Sequence, residues 1–595
     1  MSSNAFRRPR AGACVTCRSR KRRCIPTADG DSCQLCRSLF KSCSLSPVAR
    51  SNKGAVHGAL RPTAESPRLS GSSEDRLGAL ASPGLCADLV HLYFRFIHNI
   101  PHTIFHEPTF LRRLDDSTAP TVHVYAMCAL AARFSSNPVF DGIAPCDRGE
   151  VYIAEAVRLS QPYMIAPTLE TVQGFLLIGY YLSGEGSLDG KHIYIGLARL
   201  HAERLSVSDD ASAVYREEYR RNWLSIHVAS HWSAWDMAME PMSLHDGPDF
   251  LPRIDDETFR NTNADLLNIT HIQDASRCDM WAQMARTLGL YAKINSLLRQ
   301  LSRNTISFDD YRAQAVNLEA SLDTWAQNLP PRLEWTFDNL VLLAGKRVGQ
   351  IYLAMHIGYF HFRQMLFFPF LHARAARIAR SEQALKCKDS AAVISSMLQY
   401  SKTIKHCELD YFIYGHIAVV SSCVHLHTLL FDDDYRELSM TRQRLVFNFQ
   451  YLMILKSFWP IVEHYTIHLR TFQNSCRDSI SDPFVLDNWM ARFLTEHSSL
   501  LSERQPVSTQ PTDLNAPVAP RKATSANATP APLPSIEFLT SDSGTAPGIT
   551  AEEPTQFDDL SRLLHDQDMT GEALVNSALS WLLDERYQSK QVTPT

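Results

Sequence analysis

Six cysteines fall between Cys14 and Cys43 with the spacing Cys14-x2-Cys17-x6-Cys24-x8-Cys33-x2-Cys36-x6-Cys43. Each half reads Cys-x2-Cys-x6-Cys and continues Cys-Arg-Ser after its second cysteine, so the stretch is an internal repeat. A Cys-x2-Cys step lets two sulfurs reach one ion from a turn, and a third cysteine returns about two helical turns later. A structural zinc takes four thiolates, so two ions ask for eight ligand positions from six sulfurs and two sulfurs must bridge. The pseudo-symmetry favours the first cysteine of each half, Cys14 and Cys33, as the shared pair. Six thiolates and two Zn²⁺ leave a small net negative charge, which the surrounding Arg and Lys offset. A disulfide knot and a single zinc with spare cysteines are the competing arrangements. The leading sequence MSSNAFRRPR has no apolar run after its arginines, which speaks against a secretory signal and for thiolates in a reducing compartment.

The two halves differ in charge. The six residues after Cys17 are Arg18, Ser19, Arg20, Lys21, Arg22 and Arg23, five of them cationic; those after Cys36 include only Arg37 and Lys41. The first half is therefore expected to meet phosphate, while Leu35, Leu39 and Phe40 pack the second half against it. A short cationic helix on the outer face can enter a major groove while its neighbours hold the backbone. The bland reading of this basic run, with Arg7, Arg8 and Arg10, is a nuclear import signal, and both roles can coexist.

This spacing resembles the binuclear zinc cluster of the fungal Zn₂Cys₆ transcription factors, and ACVTCRSRKRRC is similar to that family's first half almost residue for residue; Pro26 also stands where the family usually carries a loop proline. The resemblance implies Cys14, Cys17, Cys24, Cys33, Cys36 and Cys43 as ligands of two structural Zn²⁺. It also implies that Arg20 and Lys21, third and fourth after the second cysteine, read CGG-type triplets, for which Arg and Lys suit guanine O6 and N7. Arg18, Arg22 and Arg23 are left for phosphates or for the cluster's own charge.

Charge is asymmetric along the 595 residues: 1–50 carry a net +9 and 501–595 a net −7, although the whole chain is only at −4. Such a distribution suggests a head that meets a polyanion and a tail that meets something else. Residues 47–85 are rich in Ser, Gly, Pro and Ala and read as a flexible linker. Leucines 60, 69, 77, 80 and 85 keep no seven-residue period and Pro62, Pro67 and Pro83 interrupt any helix, so no coiled coil is evident and a homodimer stays open.

Helical periodicity begins near Cys86. Leu89, Leu92, Tyr93, Phe96 and Ile100 share one helical face that Pro101 ends, and Tyr352, Met355, Tyr359, Phe362 and Leu366 repeat the pattern before Pro369. Residues 86–500 are thus expected to form a large all-helical regulatory domain, as one core or two packed sub-bundles. The region resembles the middle homology domain of the same family at Phe105-His106-Glu107-Pro108-Thr109-Phe110, Gly196-Leu197-Ala198-Arg199-Leu200, Glu218-Tyr219-Arg220-Arg221-Asn222-Trp223, Leu251-Pro252-Arg253-Ile254 and Phe368-Pro369-Phe370-Leu371. It departs at Ser230-His231, where the family commonly has Asp-Arg, so the buried ion pair expected there is missing.

Other candidates read as scaffold. Cys423, His425 and His427 put only two ligands on one helical face amid apolar neighbours. Gly184, Gly186 and Gly190 lack phosphate-loop spacing, and isolated cysteines such as Cys128 and Cys278 read as small buried hydrophobes. The longest clean apolar stretch, Phe175 to Leu182, falls far short of the roughly 20 residues that cross a bilayer, so no membrane span is expected.

The tail divides in two. Residues 501–550, rich in Pro, Ser, Thr and Ala, are expected to be disordered. In 551–595 acidic residues alternate with Phe557, Leu560, Leu563, Leu564, Trp581 and Leu582, a pattern that keeps apolar side chains soluble yet available to a coactivator groove; a C-terminal helix docked on the helical domain is the alternative. The expected fold class is mostly α: a zinc-cluster domain (10–46), the linker, the helical domain and an acidic tail. The expected function is a nuclear, DNA-binding regulator of RNA polymerase II transcription, with double-stranded DNA and coactivator or general transcription machinery as partners, serving nutrient-use or secondary-metabolite genes. No catalysis is expected. The alternative is a nuclear scaffold or repressor whose zinc cluster contacts protein.

Overall fold

The computed structural model describes residues 80–497 except 209, 235, 237–250, 265–278, 372–380, 432–434 and 479–485, together with residue 501. Among the described residues 77% are helical and none lies in a strand. The zinc-cluster segment, the linker as far as residue 79 and the acidic tail lie outside them.

Helix α1 spans Pro83–Phe96, so helical structure starts three residues ahead of the expected boundary. Proline at the first helical position explains the early start, because its missing N–H is one that the helix leaves unpaired anyway. The same helix also stops earlier than its apolar pattern suggested. Asn99 takes a φ of 65°, a left-handed conformation that Asn tolerates, and the residue before Pro101 is steered out of the helical region. Ile100 is buried nonetheless, and the turn lets His102 Nε2 hydrogen-bond the Tyr93 hydroxyl at 2.6 Å.

The following helices are α2 (Glu107–Asp115), α3 (Thr121–Ala131), α4 (Glu150–Ser160), α5 (Leu169–Gly184), α6 (Leu188–Ala202), α7 (Ala213–Ala234), α8 (Asp256–Asn261) and α9 (Met280–Ser302). Then come α10 (Phe308–Gln327), α11 (Phe337–Gly345), α12 (Gly349–Phe367), α13 (Glu382–Thr403), α14 (Ile413–Phe431), α15 (Tyr435–Phe458), α16 (Val462–Asp478) and α17 (Asn488–Thr495). Side-chain caps mark many of the starts. Thr168 and Thr171 form a reciprocal capping box on α5, Ser307 and Asp310 another on α10, and Asp279 accepts from the Ala282 N–H at the head of α9.

Sequential neighbours pack as hairpins, α5 with α6, α12 with α13 and α14 with α15, while α9 crosses back onto α12. One continuous apolar core runs from Leu80 to Leu494, with a small satellite of Val214, Ile254 and Phe259. The expected α12 face is wholly inside, and Phe368–Leu371 continue it as a buried 3₁₀ turn.

Helix α14 corrects the reading of apolar runs. It is long and apolar enough by length and composition to cross a membrane, and 89% of that window is buried within the protein. Its His, Ser and Thr residues break the continuous run that the sequence criterion looked for. It serves here as the central core helix, packed by α13, α15 and α16.

Arg133, in the 3₁₀ turn Ala132–Phe134 that follows α3, is fully enclosed. It donates to the Phe458 carbonyl at 2.5 Å, pairs with Glu185 at 3.1 Å and lies 3.9 Å over the Trp459 ring. Gly184 makes that stack possible, because a Cβ there would stand 2.3 Å from the indole.

Candidate functional site

The residues expected to hold zinc (Cys14, Cys17, Cys24, Cys33, Cys36, Cys43), to contact DNA (Arg18, Arg20, Lys21, Arg22, Arg23) and to activate (Phe557, Leu560, Leu563, Leu564, Trp581, Leu582) lie outside the described residues. So do Cys278 and the apolar positions around the second cysteine half. What the structure assembles is a buried polar centre built from three of the five landmark segments in the helical domain.

Its hub is Arg221 on α7, fully buried. The guanidinium donates through Nε to Glu217 Oε1 at 3.1 Å, through Nη1 to Asp256 Oδ1 at 2.9 Å and to Thr103 Oγ1 at 3.2 Å, and through Nη2 to Asp279 Oδ2 at 2.7 Å and to the Ile254 carbonyl at 2.6 Å. The Phe259 ring covers its flat face at 4.3 Å. The partners are themselves held: Glu217 accepts from the Arg253 backbone N–H, and the second oxygen of Asp256 accepts from the Met280 N–H at 2.7 Å. Five donors in a rigid fork thus tie α7, α8, the start of α9 and the loop before α2, a task a point-charge lysine could not perform.

Electrostatics follow from the crowding. Burial works against the Arg221 charge, but the carboxylates of Asp279, Asp256 and Glu217 outweigh it and its pKa is raised. Burial and the neighbouring Asp256 push the Asp279 carboxyl upward, against the pull of Arg221. Three acids around one guanidinium give this direction its physical sense: they cannot all ionise at no cost.

The Phe105–Phe110 signature abuts this hub. The His106 backbone N–H donates to Glu218 at 2.8 Å, while its ring bonds Thr109 Oγ1 at 2.7 Å and the Thr262 carbonyl at 2.9 Å. Burial holds the His106 ring down at about 4, so it is neutral near pH 7. Glu107 pairs with Arg347 at 2.9 Å and Arg260 at 3.3 Å. Asn222 donates to the Ile104 carbonyl at 3.0 Å, and Gln173 donates to the same oxygen at 2.9 Å. The Arg221 guanidinium at the hub is enclosed and its donors go to protein acceptors on three sides, so its chemistry is that of a lock between helices.

The other two landmarks stand apart. In the Gly196 segment Ala198 is buried against α5 while Arg199 pairs with Glu203 on the surface. At the departure from the family pattern, His231 caps back onto the His227 carbonyl; a separate buried pair, Lys191 with Asp236 at 2.9 Å, has its acid five residues further on. The pair joins residues from two different helical segments, so no dipeptide marks it.

The discounted candidates behave as scaffold. Cys423, His425 and His427 are buried, with His425 bonded to Ser395 at 2.9 Å, and among the described residues no group of three or more His, Cys, Asp or Glu is placed to hold a metal. Cys128 is buried and burial pushes its thiol well up, away from the reactive thiolate form.

Residues 90–327 match the model of the fungal specific transcription factor domain. A transcriptional regulatory protein of Schizosaccharomyces pombe is 23% identical over 53% of this chain and 34% of its own length. Two Fusarium oxysporum f. sp. lycopersici proteins named Zn(2)-C6 fungal-type transcription factors, FTF1c and FTF2, are 24% and 23% identical, each over 68% of this chain and over 47% and 41% of their own lengths. These matches show what residues 90–327 and the helical domain around them are similar to. The chain spans about a third to a half of the length of these relatives. No solved structure matches it. The matched stretch ends at α10, so the Arg221 centre lies inside it, while Arg347 reaches that centre from beyond it.

Proposed function

We propose that this protein is a nuclear, sequence-specific DNA-binding regulator that activates RNA polymerase II transcription through its acidic tail. The observation that carries the reading is the repeated Cys-x2-Cys-x6-Cys with five cations in the six residues after Cys17, in one chain with a fungal specific transcription factor domain. The donor set suits zinc: six soft thiolates supply two tetrahedral sites if two of them are shared. Zinc bound there would supply the fold of a segment too small to be held by apolar burial alone. The zinc ligands are the six cysteines from Cys14 to Cys43. Arg20 and Lys21 read guanine edges, and Arg18, Arg22 and Arg23 hold phosphates.

The test is selection of bound duplexes from a random pool by the full-length protein, followed by titration of Lys21→Ala and Arg23→Ala on selected and scrambled DNA. Lys21→Ala should lose affinity mainly for the selected site, and Arg23→Ala for both duplexes alike. Equal loss on both duplexes for both variants would overturn the base-reading role. Failure to enrich any sequence would favour a scaffold or repressor whose cluster contacts protein.

A further inference from the structure

Helices α5, α6, α7, α9, α12 and α14 converge around a cavity of about 120 Å³. Protein interiors normally leave few voids larger than a water molecule. The walls are built mainly from carbon, with Ile195, Trp232, Leu288, Met355, Phe362 and Ile417 among them. Among the polar groups of the wall residues, Ser183 donates to the Gly179 carbonyl at 2.7 Å and Thr287 to the Met284 carbonyl at 2.7 Å, and the Tyr180 and Tyr411 hydroxyls donate to backbone carbonyls, whereas Trp281 Nε1 and His497 Nδ1 are buried with no hydrogen-bond partner among the described residues. Among the described residues the one Lys, Arg, Asp or Glu at the wall is Lys191, which is neutralised by Asp236, whose own side chain has no exposure.

A dry apolar void of about 150 Å³ is known to accept benzene, because a ligand of that size restores the dispersion contacts its lining lacks. The present cavity has that scale. Its polarity selects further: a ligand carboxylate would have to displace Asp236 from Lys191, and a ligand amine would face the Lys191 ammonium, each in a site that screens charge poorly.

We propose that this cavity is a binding site for a neutral, apolar molecule of about one aromatic ring. Its walls come both from the 90–327 stretch and from residues Ala354 to His497 beyond it, so an occupant braces the two parts of the helical domain against each other. The proposal concerns the helical domain alone and stands whether or not the head reads DNA.

Gly358 on α12 supplies the test, since it lines the cavity and a Cβ added there would meet nothing within 4 Å. Thermal unfolding of the full-length protein is followed with toluene, indole, benzoate and benzylamine. Toluene and indole should raise the melting temperature by a few degrees through linkage, and the charged analogues should not. Gly358→Leu fills the space at a position where a helix gains from losing glycine, so it should fold and abolish the response to toluene. A response retained in Gly358→Leu, an equal response to the charged analogues, or no response in the wild-type protein would each overturn the proposal. Saturation-transfer NMR on the wild-type protein, reading toluene signals and their displacement by indole, decides the matter without the variant; absence of transfer would also overturn it.

Discussion

The head of this protein and its helical domain reach specificity by opposite means. The head writes its expected structure into the five spacings between six cysteines and a run of cations within about thirty residues, with little apolar mass to hold it. The helical domain spreads its instructions over some four hundred residues, with one apolar core and a few buried charges that no local pattern announces. The comparison teaches that the head should fail all at once, on loss of metal, whereas the helical domain should fail by degrees, at identifiable contacts.

The largest expected effect tests the first half of that contrast. Cys24→Ser, or chelation of the full-length protein, should lower affinity for the selected duplex by about 10³-fold or more, to the level of non-specific binding. Thermal unfolding of the helical domain should not change. A parallel loss of its melting transition would erase the distinction between the two regions.

Within the helical domain, Arg221→Met should cost about 3–5 kcal/mol in urea unfolding, because it leaves three buried carboxylates without their counter-charge. Arg221→Lys should recover only part of this. A cost under about 1 kcal/mol for the methionine variant would mean that the centre is not a lock. Gly184→Ala should cost about 1–3 kcal/mol by driving a methyl group into Trp459, read by the same titration.

Acid should strain the helical domain selectively. Burial holds His102, His356 and His425 down at about 3 and His123 and His416 at about 4. Their folded pKa values lie below the unfolded value of about 6.5, so the unfolded chain binds more protons and stability is lost as pH falls from about 6.5 toward 4. Each such histidine contributes up to about 1.4 kcal/mol per pH unit in that window. His425→Gln, which keeps a partner for Ser395, should flatten the stability profile by that increment; an unchanged slope would place His425 on an exposed and freely titrating site. The smallest effect returns to the head: Arg23→Ala should reduce the slope of log affinity against log salt by about 0.9, the value of one phosphate contact.

How much was legible differs by region for physical reasons. The α12 face from Tyr352 to Leu366 was readable because a 3.6-residue period is a local signal. The end of α1 was not, since the left-handed turn at Asn99 stops the helix before the apolar pattern runs out. Arg221 stood out in a landmark, but Asp256 and Asp279 lie 35 and 58 residues away and nothing local marks them as its acids. The same distance effect hid the stack of Arg133 on Trp459, the role of Gly184 beneath it, and Lys191 opposite Asp236. The cavity is a property of shape that only the packed helices define.

Everything proposed for the head depends on its metal. Full-length protein purified under reducing conditions and shown to bind its selected duplex should carry two zinc equivalents per chain by elemental analysis, both removed together with DNA binding when a chelator is added. Full binding of the selected duplex by protein carrying one equivalent or none would contradict it.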